Sequence, residues 1–171
     1  SVTWVLKNPV NLAFPQQKPS WRTLTVRTER RDLSMEKVRW GILGAARINE
    51  RLLPAINGSS YGELIAIGSR REGAAKETLQ KFAPEAHQVQ TFDALEPILE
   101  NPAIDAVYIP LSNAEHATWV LKAIAAGKHV LCEKPLAIHE ADILSIQKAA
   151  RENQVKVMEG FMYRFHPQHQ R

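Results

Sequence analysis

Val38-Arg39-Trp40-Gly41-Ile42-Leu43-Gly44-Ala45-Ala46-Arg47-Ile48-Asn49 decides the fold. Its first half is a short apolar run bounded by charge and glycine, which predicts a buried strand over 38–43. Gly44-Ala45-Ala46 predicts a tight turn. Residues 47–56 carry apolar side chains at 48, 52, 53 and 56, a helical spacing. Pro54 falls late in that helix and predicts a bend. The unit is therefore strand, tight turn, helix.

The pattern repeats outward from this unit. Glu63 to Gly68, Gln88 to Thr91, Asp105 to Pro110 and Val155 to Met158 read as strands. So does the run that opens at His129, just after Gly127. Helices are predicted over 73–82, 114–126 and 139–152, the second stopped by Gly127. A short helix to Leu99 would be capped by Asp93, with Glu96 three residues on as in a capping box. Strands alternating with helices at short spacing imply right-handed βαβ units. Six strands fit a doubly wound parallel α/β sheet of two halves, in the order 3-2-1-4-5-6.

Composition sets the bounds. At 171 residues, 44% hydrophobic and 23% charged, the chain suits one globular domain with a real core. The net charge of +4 is unevenly placed. Residues 1–34 hold six Lys and Arg against two Asp and Glu, which leaves sixteen of each sign in 35–171. The folded part thus carries no nucleic-acid footprint. No apolar run approaches membrane-spanning length. The single cysteine, Cys132, excludes an intramolecular disulfide and reads as a small buried hydrophobe. Residues 1–34 show no sustained period, and Pro9, Pro15 and Pro19 break any helix. They read as a disordered or non-native leader that buries little surface, with Met35 as the natural start.

Four places carry chemistry. Gly44 opens a G-x-G-x-x-G-like turn in which Ala46 and Asn49 replace the later glycines. After a strand and before a helix, such a turn offers free N–H groups and a positive dipole end to a pyrophosphate, through Gly44, Ala45, Ala46, Arg47 and Ile48. The second strand ends in Ser69-Arg70-Arg71 rather than in an acid. A hydroxyl and a guanidinium suit a ribose 2′-phosphate, which favours NADP over NAD; the plain alternative is a solvated basic turn. The fourth strand ends Pro110-Leu111-Ser112-Asn113-Ala114-Glu115-His116. Asn113 is either the cap of the next helix or a cofactor contact. His116 lies inside that helix, where a structural role is favoured over a catalytic one. Finally, His129-Val130-Leu131-Cys132-Glu133-Lys134-Pro135-Leu136 ends a strand on an acid, a base and a proline. The carboxyl ends of parallel strands are where ligands bind, so Lys134 is poised for proton transfer.

Together the Gly41–Gly44 turn, Pro110–His116, Ala126–Leu136 and Glu159–Pro167 resemble the glucose–fructose oxidoreductase / inositol dehydrogenase (Gfo/Idh/MocA) family. Within it, the chain looks most like the D-xylose and dihydrodiol dehydrogenase branch. The resemblance covers residues 37–171, and the G-K-H-V-x-x-E-K-P run is its specific part. It implies a Rossmann cofactor domain over 35–160, with 161–171 starting the connection to a substrate domain outside these residues. It implies that Lys134 is the active-site lysine, placed between nicotinamide and substrate hydroxyl and so also a cofactor contact, that Glu133 holds the nicotinamide ribose, and that the bond before Pro135 is often cis. Ser69 and Arg70 would meet the adenosine phosphate, with Pro110, Leu111, Asn113 and His116 around the cofactor. Tyr163, Arg164 and His166 would approach the substrate. No metal is assigned.

The expectation is an NADP-binding domain of a cytoplasmic oxidoreductase, homo-oligomeric when complete, that acts on a sugar, polyol or diol. The alternative is a non-catalytic dinucleotide-binding module, or a fragment without turnover. Neither reading involves a nucleic acid or a membrane.

Overall fold

The computed structural model describes residues 37–169. The reading of 1–34 as a leader lies outside them. Six parallel strands form one sheet in the order β3-β2-β1-β4-β5-β6. They are β1 (Val38–Leu43), β2 (Gly62–Gly68), β3 (Gln90–Phe92), β4 (Ala106–Ile109), β5 (His129–Cys132) and β6 (Val157–Glu159). Five α-helices connect them: α1 (Asn49–Asn57), α2 (Ala74–Phe82), α3 (Glu96–Glu100), α4 (Asn113–Ala125) and α5 (Glu140–Glu152). The expected doubly wound order is the observed one.

The core has two layers. On one face, Leu53 and Ile56 of α1 and Ala75 of α2 pack on Ile42, Leu64 and Ile67. On the other, α3, α4 and α5 bring Ile98, Trp119, Val120, Ile124 and Ile146 onto Leu43, Val107, Ile109 and Val130. All four residues of the central strand β4 are buried. A parallel strand covered on both faces reads as a continuous apolar run, and A-V-Y-I does so. Cys132 is buried there, and burial pushes its thiol up to about 12. It behaves as the small hydrophobe expected of it.

The amino-terminal ends of the inner strands are pinned by charge. Lys128 is buried and donates from Nζ to the carbonyls of Asn101 at 2.7 Å and Ile104 at 2.8 Å. Arg39 donates to Asp105 from Nε at 2.9 Å and Nη2 at 2.6 Å. These contacts fix the loop between α3 and β4.

Two local expectations need correction. Asp93 does not cap α3. Its Oδ1 accepts from the Gly73 N–H at 2.8 Å, so it serves the start of α2, twenty residues away. Leu95 stands at the N-cap position of α3 and offers no side-chain oxygen. Asn113 is not the cap of α4 either. It is the first helical residue, and Ser112 stands at the N-cap position. Pro54 is accommodated inside α1, which runs on to Asn57.

Gly68 shows why the sheet tolerates no side chain at one point. A Cβ there would stand 2.4 Å from the Ala94 carbonyl oxygen and 3.0 Å from Ile98 Cγ1. The obstacle is backbone and cannot swing away. Gly68→Ala is expected to destabilise the fold by about 2 kcal/mol. Thermal denaturation should show a melting temperature lower by roughly 5–10 °C. An unchanged melting temperature would mean that the segment before α3 is not held against β2.

Candidate functional site

The carboxyl ends of β1, β2 and β4 meet where the strand order reverses, between β1 and β4. In sheets of this kind the crevice at that reversal is the binding site. Here a cavity of about 500 Å³ is lined by Gly44 and Ala45, by Ser69, Arg70 and Arg71, by Leu95, and by Pro110, Leu111, Ser112 and Glu115. Three of the sequence-derived stretches therefore meet in one cleft.

The glycine turn forms its floor. Gly44 has φ +134°, a conformation open to glycine and costly for other residues. Its N–H donates to the Gly68 carbonyl at 2.8 Å, which ties the turn to β2. A Cβ at Gly44 would lie 3.1 Å from Leu111 Cδ2. Asn49, in place of the third glycine, is fully buried and donates from Nδ2 to the Gly44 carbonyl at 2.8 Å. Among the described residues, the N–H groups of Ala45, Ala46 and Arg47 make no backbone hydrogen bond. Such unpaired donors ahead of a helix suit an anionic group.

The walls carry the charge. Ser69 is buried, and its Oγ accepts from the Arg71 N–H at 3.2 Å. Arg70 reaches across to α4, where Nη1 lies 2.6 Å from Glu115 Oε1. Glu115 also accepts from Ser112 Oγ at 2.6 Å. The Ser112 hydroxyl first, and then Arg70, hold the Glu115 carboxyl below its ordinary value. Neither Glu115 nor Ser112 was a sequence-derived candidate. The Ser-x-x-Glu spacing at a helix start was the available signal.

His116 lies beneath this cleft, with 0% of its surface exposed. Nδ1 stands 2.7 Å from the Pro135 carbonyl and Nε2 2.9 Å from the Leu111 carbonyl. It links the loop after β4 to the loop after β5. Of its two readings, the structural one matches this geometry. Asn113 is exposed and is absent from the cleft lining.

The loop after β5 holds Glu133, Lys134 and Pro135, and the Lys134–Pro135 bond is cis. Glu133 donates its N–H to the Ile109 carbonyl at 3.0 Å. Its Oε1 accepts from the Tyr108 hydroxyl at 2.6 Å. Burial, and then this hydrogen bond, push the Tyr108 hydroxyl well above its ordinary value, so it stays a proton donor. Tyr108 was missed in the sequence; a lone tyrosine in an apolar strand needs a partner for its hydroxyl. Lys134 is exposed and makes no hydrogen bond or ion pair among the described residues.

Tyr163, Arg164 and His166 lie in and after a 3₁₀ turn (Met162–Phe165) that follows β6, and all three are exposed. They do not line the cleft. The neighbouring Phe161, Met162 and Phe165 instead form an apolar groove with Ile48, Tyr108 and Glu133. Met162 and Phe165 are 67% and 61% exposed. Among the described residues, no cluster of three or more His, Cys, Asp or Glu could hold a metal ion. Among them, no helix is long and apolar enough to cross a membrane.

Residues 38–161 match the model of a family described as an oxidoreductase family with an NAD-binding Rossmann fold, Gfo/Idh/MocA. A dTDP-3,4-didehydro-2,6-dideoxy-alpha-D-glucose 3-reductase from Actinomadura kijaniata is 41% identical over 133 residues, covering 77% of this chain and 39% of the relative. A D-xylose 1-dehydrogenase (NADP(+)) from Haloferax volcanii is 40% identical over 129 residues, 75% of this chain and 38% of the relative. The crystal structure of a 3-ketoreductase from Actinomadura kijaniata, in complex with NADP and TDP-benzene, matches with a TM-score of 0.72 at 38% identity. That match covers 78% of this chain and 40% of the ketoreductase. The chain thus spans about two fifths of the length of these relatives.

Proposed function

The chain belongs to the Gfo/Idh/MocA oxidoreductase family, and from that premise we propose that it is the NADP-binding part of an enzyme that moves a hydride to or from a carbon bearing a hydroxyl. The substrate class is a sugar, polyol or diol. Residues 35–160 form the cofactor domain in this reading, and 161–171 begin the connection onward. The observation that carries it is the cleft itself, where the Gly44 turn meets Ser69, Arg70 and Arg71 at the strand reversal.

The residues present fit a dinucleotide. The unpaired N–H groups of Ala45, Ala46 and Arg47 accommodate a pyrophosphate, and Gly44 keeps the turn clear of a Cβ. Ser69 and Arg70 offer a hydroxyl and a guanidinium to a 2′-phosphate. Tyr108 orients the Glu133 carboxylate, which is left able to accept from a ribose hydroxyl. Bound nicotinamide supplies the hydride acceptor or donor; the protein positions it. Lys134 Nζ holds the substrate oxygen and passes its proton. The names of the relatives, a sugar 3-reductase and a D-xylose 1-dehydrogenase, support this substrate class.

Titration of the chain with NADPH and NADH tests the cofactor. NADPH should bind more tightly. A charge-assisted hydrogen bond is worth roughly 1.5–3 kcal/mol, so Arg70→Ala should weaken NADPH roughly ten- to a hundredfold and leave NADH nearly untouched. Equal or tighter binding of NADH by the unmodified chain would sink the NADP assignment.

A further inference from the structure

Arg70 is the residue this reading gives to the 2′-phosphate, yet its guanidinium already has an anion. Glu115 Oε1 lies 2.6 Å from Arg70 Nη1, and both side chains line the same cavity. The pair joins the end of β2 to the first turn of α4, from one wall of the cleft to the other. Glu115 does not depend on Arg70 for its place. Ser112 Oγ donates to its other oxygen at 2.6 Å, and the start of a helix favours a carboxylate. The carboxylate therefore stays where it is when the arginine turns away. Arg70 is the more exposed partner, with 56% of its side chain open to solvent against 28% for Glu115, and it has the freer path away from the pair.

We propose that Glu115 sets the preference of this cleft between phosphorylated and unphosphorylated dinucleotides: it is the resident counter-ion of Arg70, and a 2′-phosphate must take its place. The inference rests on the reading of the cleft as a dinucleotide site. A phosphate monoester drawn to Arg70 comes close to a fixed carboxylate, and the like charges repel. Part of the attraction of Arg70 is spent on releasing Glu115. An unphosphorylated ribose has no charge to repel and leaves the ion pair intact. Glu115 thus narrows the gap between the two cofactors, while Arg70 widens it.

The test is calorimetric titration of the 171-residue chain with NADPH and NADH, for the unmodified protein and for Glu115→Gln. Glutamine keeps the length of the side chain and can still bond Ser112, so the helix start is preserved. NADPH should tighten roughly three- to tenfold, the range of a partly exposed ion pair and its screened repulsion, with NADH changed less than twofold. In the Arg70→Ala background the same substitution should lose most of that gain. Unchanged or weaker NADPH binding in Glu115→Gln would overturn the inference, as would an equal gain for NADH or a full gain without Arg70. An unmodified chain that binds neither nucleotide would instead overturn the cofactor reading beneath it.

Discussion

Lys134→Ala is expected to lower turnover by roughly 10²–10⁴-fold, the usual worth of a positioned acid or base. The measurement belongs on this chain continued by the C-terminal part that its relatives carry. The geometry explains why the loss should fall on the chemical step. Lys134 follows Glu133 directly, and Glu133 is fixed at two points: its N–H on the Ile109 carbonyl and its Oε1 on the Tyr108 hydroxyl. On the other side, the Pro135 carbonyl is held 2.7 Å from His116 Nδ1. The backbone is anchored on both sides of the lysine, while its side chain is exposed and makes no hydrogen bond among the described residues. Such a group costs the fold little when truncated. NADPH affinity should therefore change little while kcat falls, and the melting temperature should hold. A fully active Lys134→Ala enzyme would refute the role of the lysine. A matching loss of NADPH affinity would assign it to cofactor binding instead.

How much of this was legible in the sequence depends on distance along the chain. β1 and α1 were readable because their signals are local, an apolar run followed by a helical spacing. β5 was readable because Gly127 stops one element and the apolar run gives way to Glu133-Lys134-Pro135 just past the strand's end. β3 was displaced, expected over 88–91 and found at Gln90–Phe92. It is a three-residue edge strand, too short to show a period. Asp93 misled because Asp-x-x-Glu satisfies a local capping rule, while the fold brings the Gly73 N–H to it from twenty residues away. The same limit hid the pairs that shape the site. Arg70 follows β2 while Glu115 lies in the first turn of α4, and Tyr108 and Glu133 lie 25 residues apart. Residue type at a strand end indicates what chemistry is available. Which partner each group meets is decided by the sheet order, and that emerges only once the strands are packed.

Gly44→Val is expected to remove NADPH binding from the range of a standard titration, a loss of at least about a hundredfold. Two effects combine. At φ +134° a non-glycine residue is strained by about 1–3 kcal/mol, and a β-branched one is among the worst placed. The turn would relieve that strain by rotating, and rotation would move the unpaired N–H groups of Ala45, Ala46 and Arg47 from the places they hold ahead of α1. The second effect is steric. A Cβ at this position already lies 3.1 Å from Leu111 Cδ2, a side chain of the cleft lining, so the valine methyls would crowd the cleft. Binding loses both its donors and its space. The fold should survive in weakened form. Gly44 sits at the end of β1, and the two core layers are built from residues on either side of the sheet rather than from the turn. Far-ultraviolet circular dichroism should therefore stay native-like, with a lowered melting temperature. Gly44→Ala supplies the graded comparison: it carries the strain with a smaller side chain, so it should bind NADPH more weakly than the unmodified chain and more tightly than Gly44→Val. Near-native NADPH affinity in a folded Gly44→Val chain would place the pyrophosphate away from this turn and would overturn the reading of the cleft.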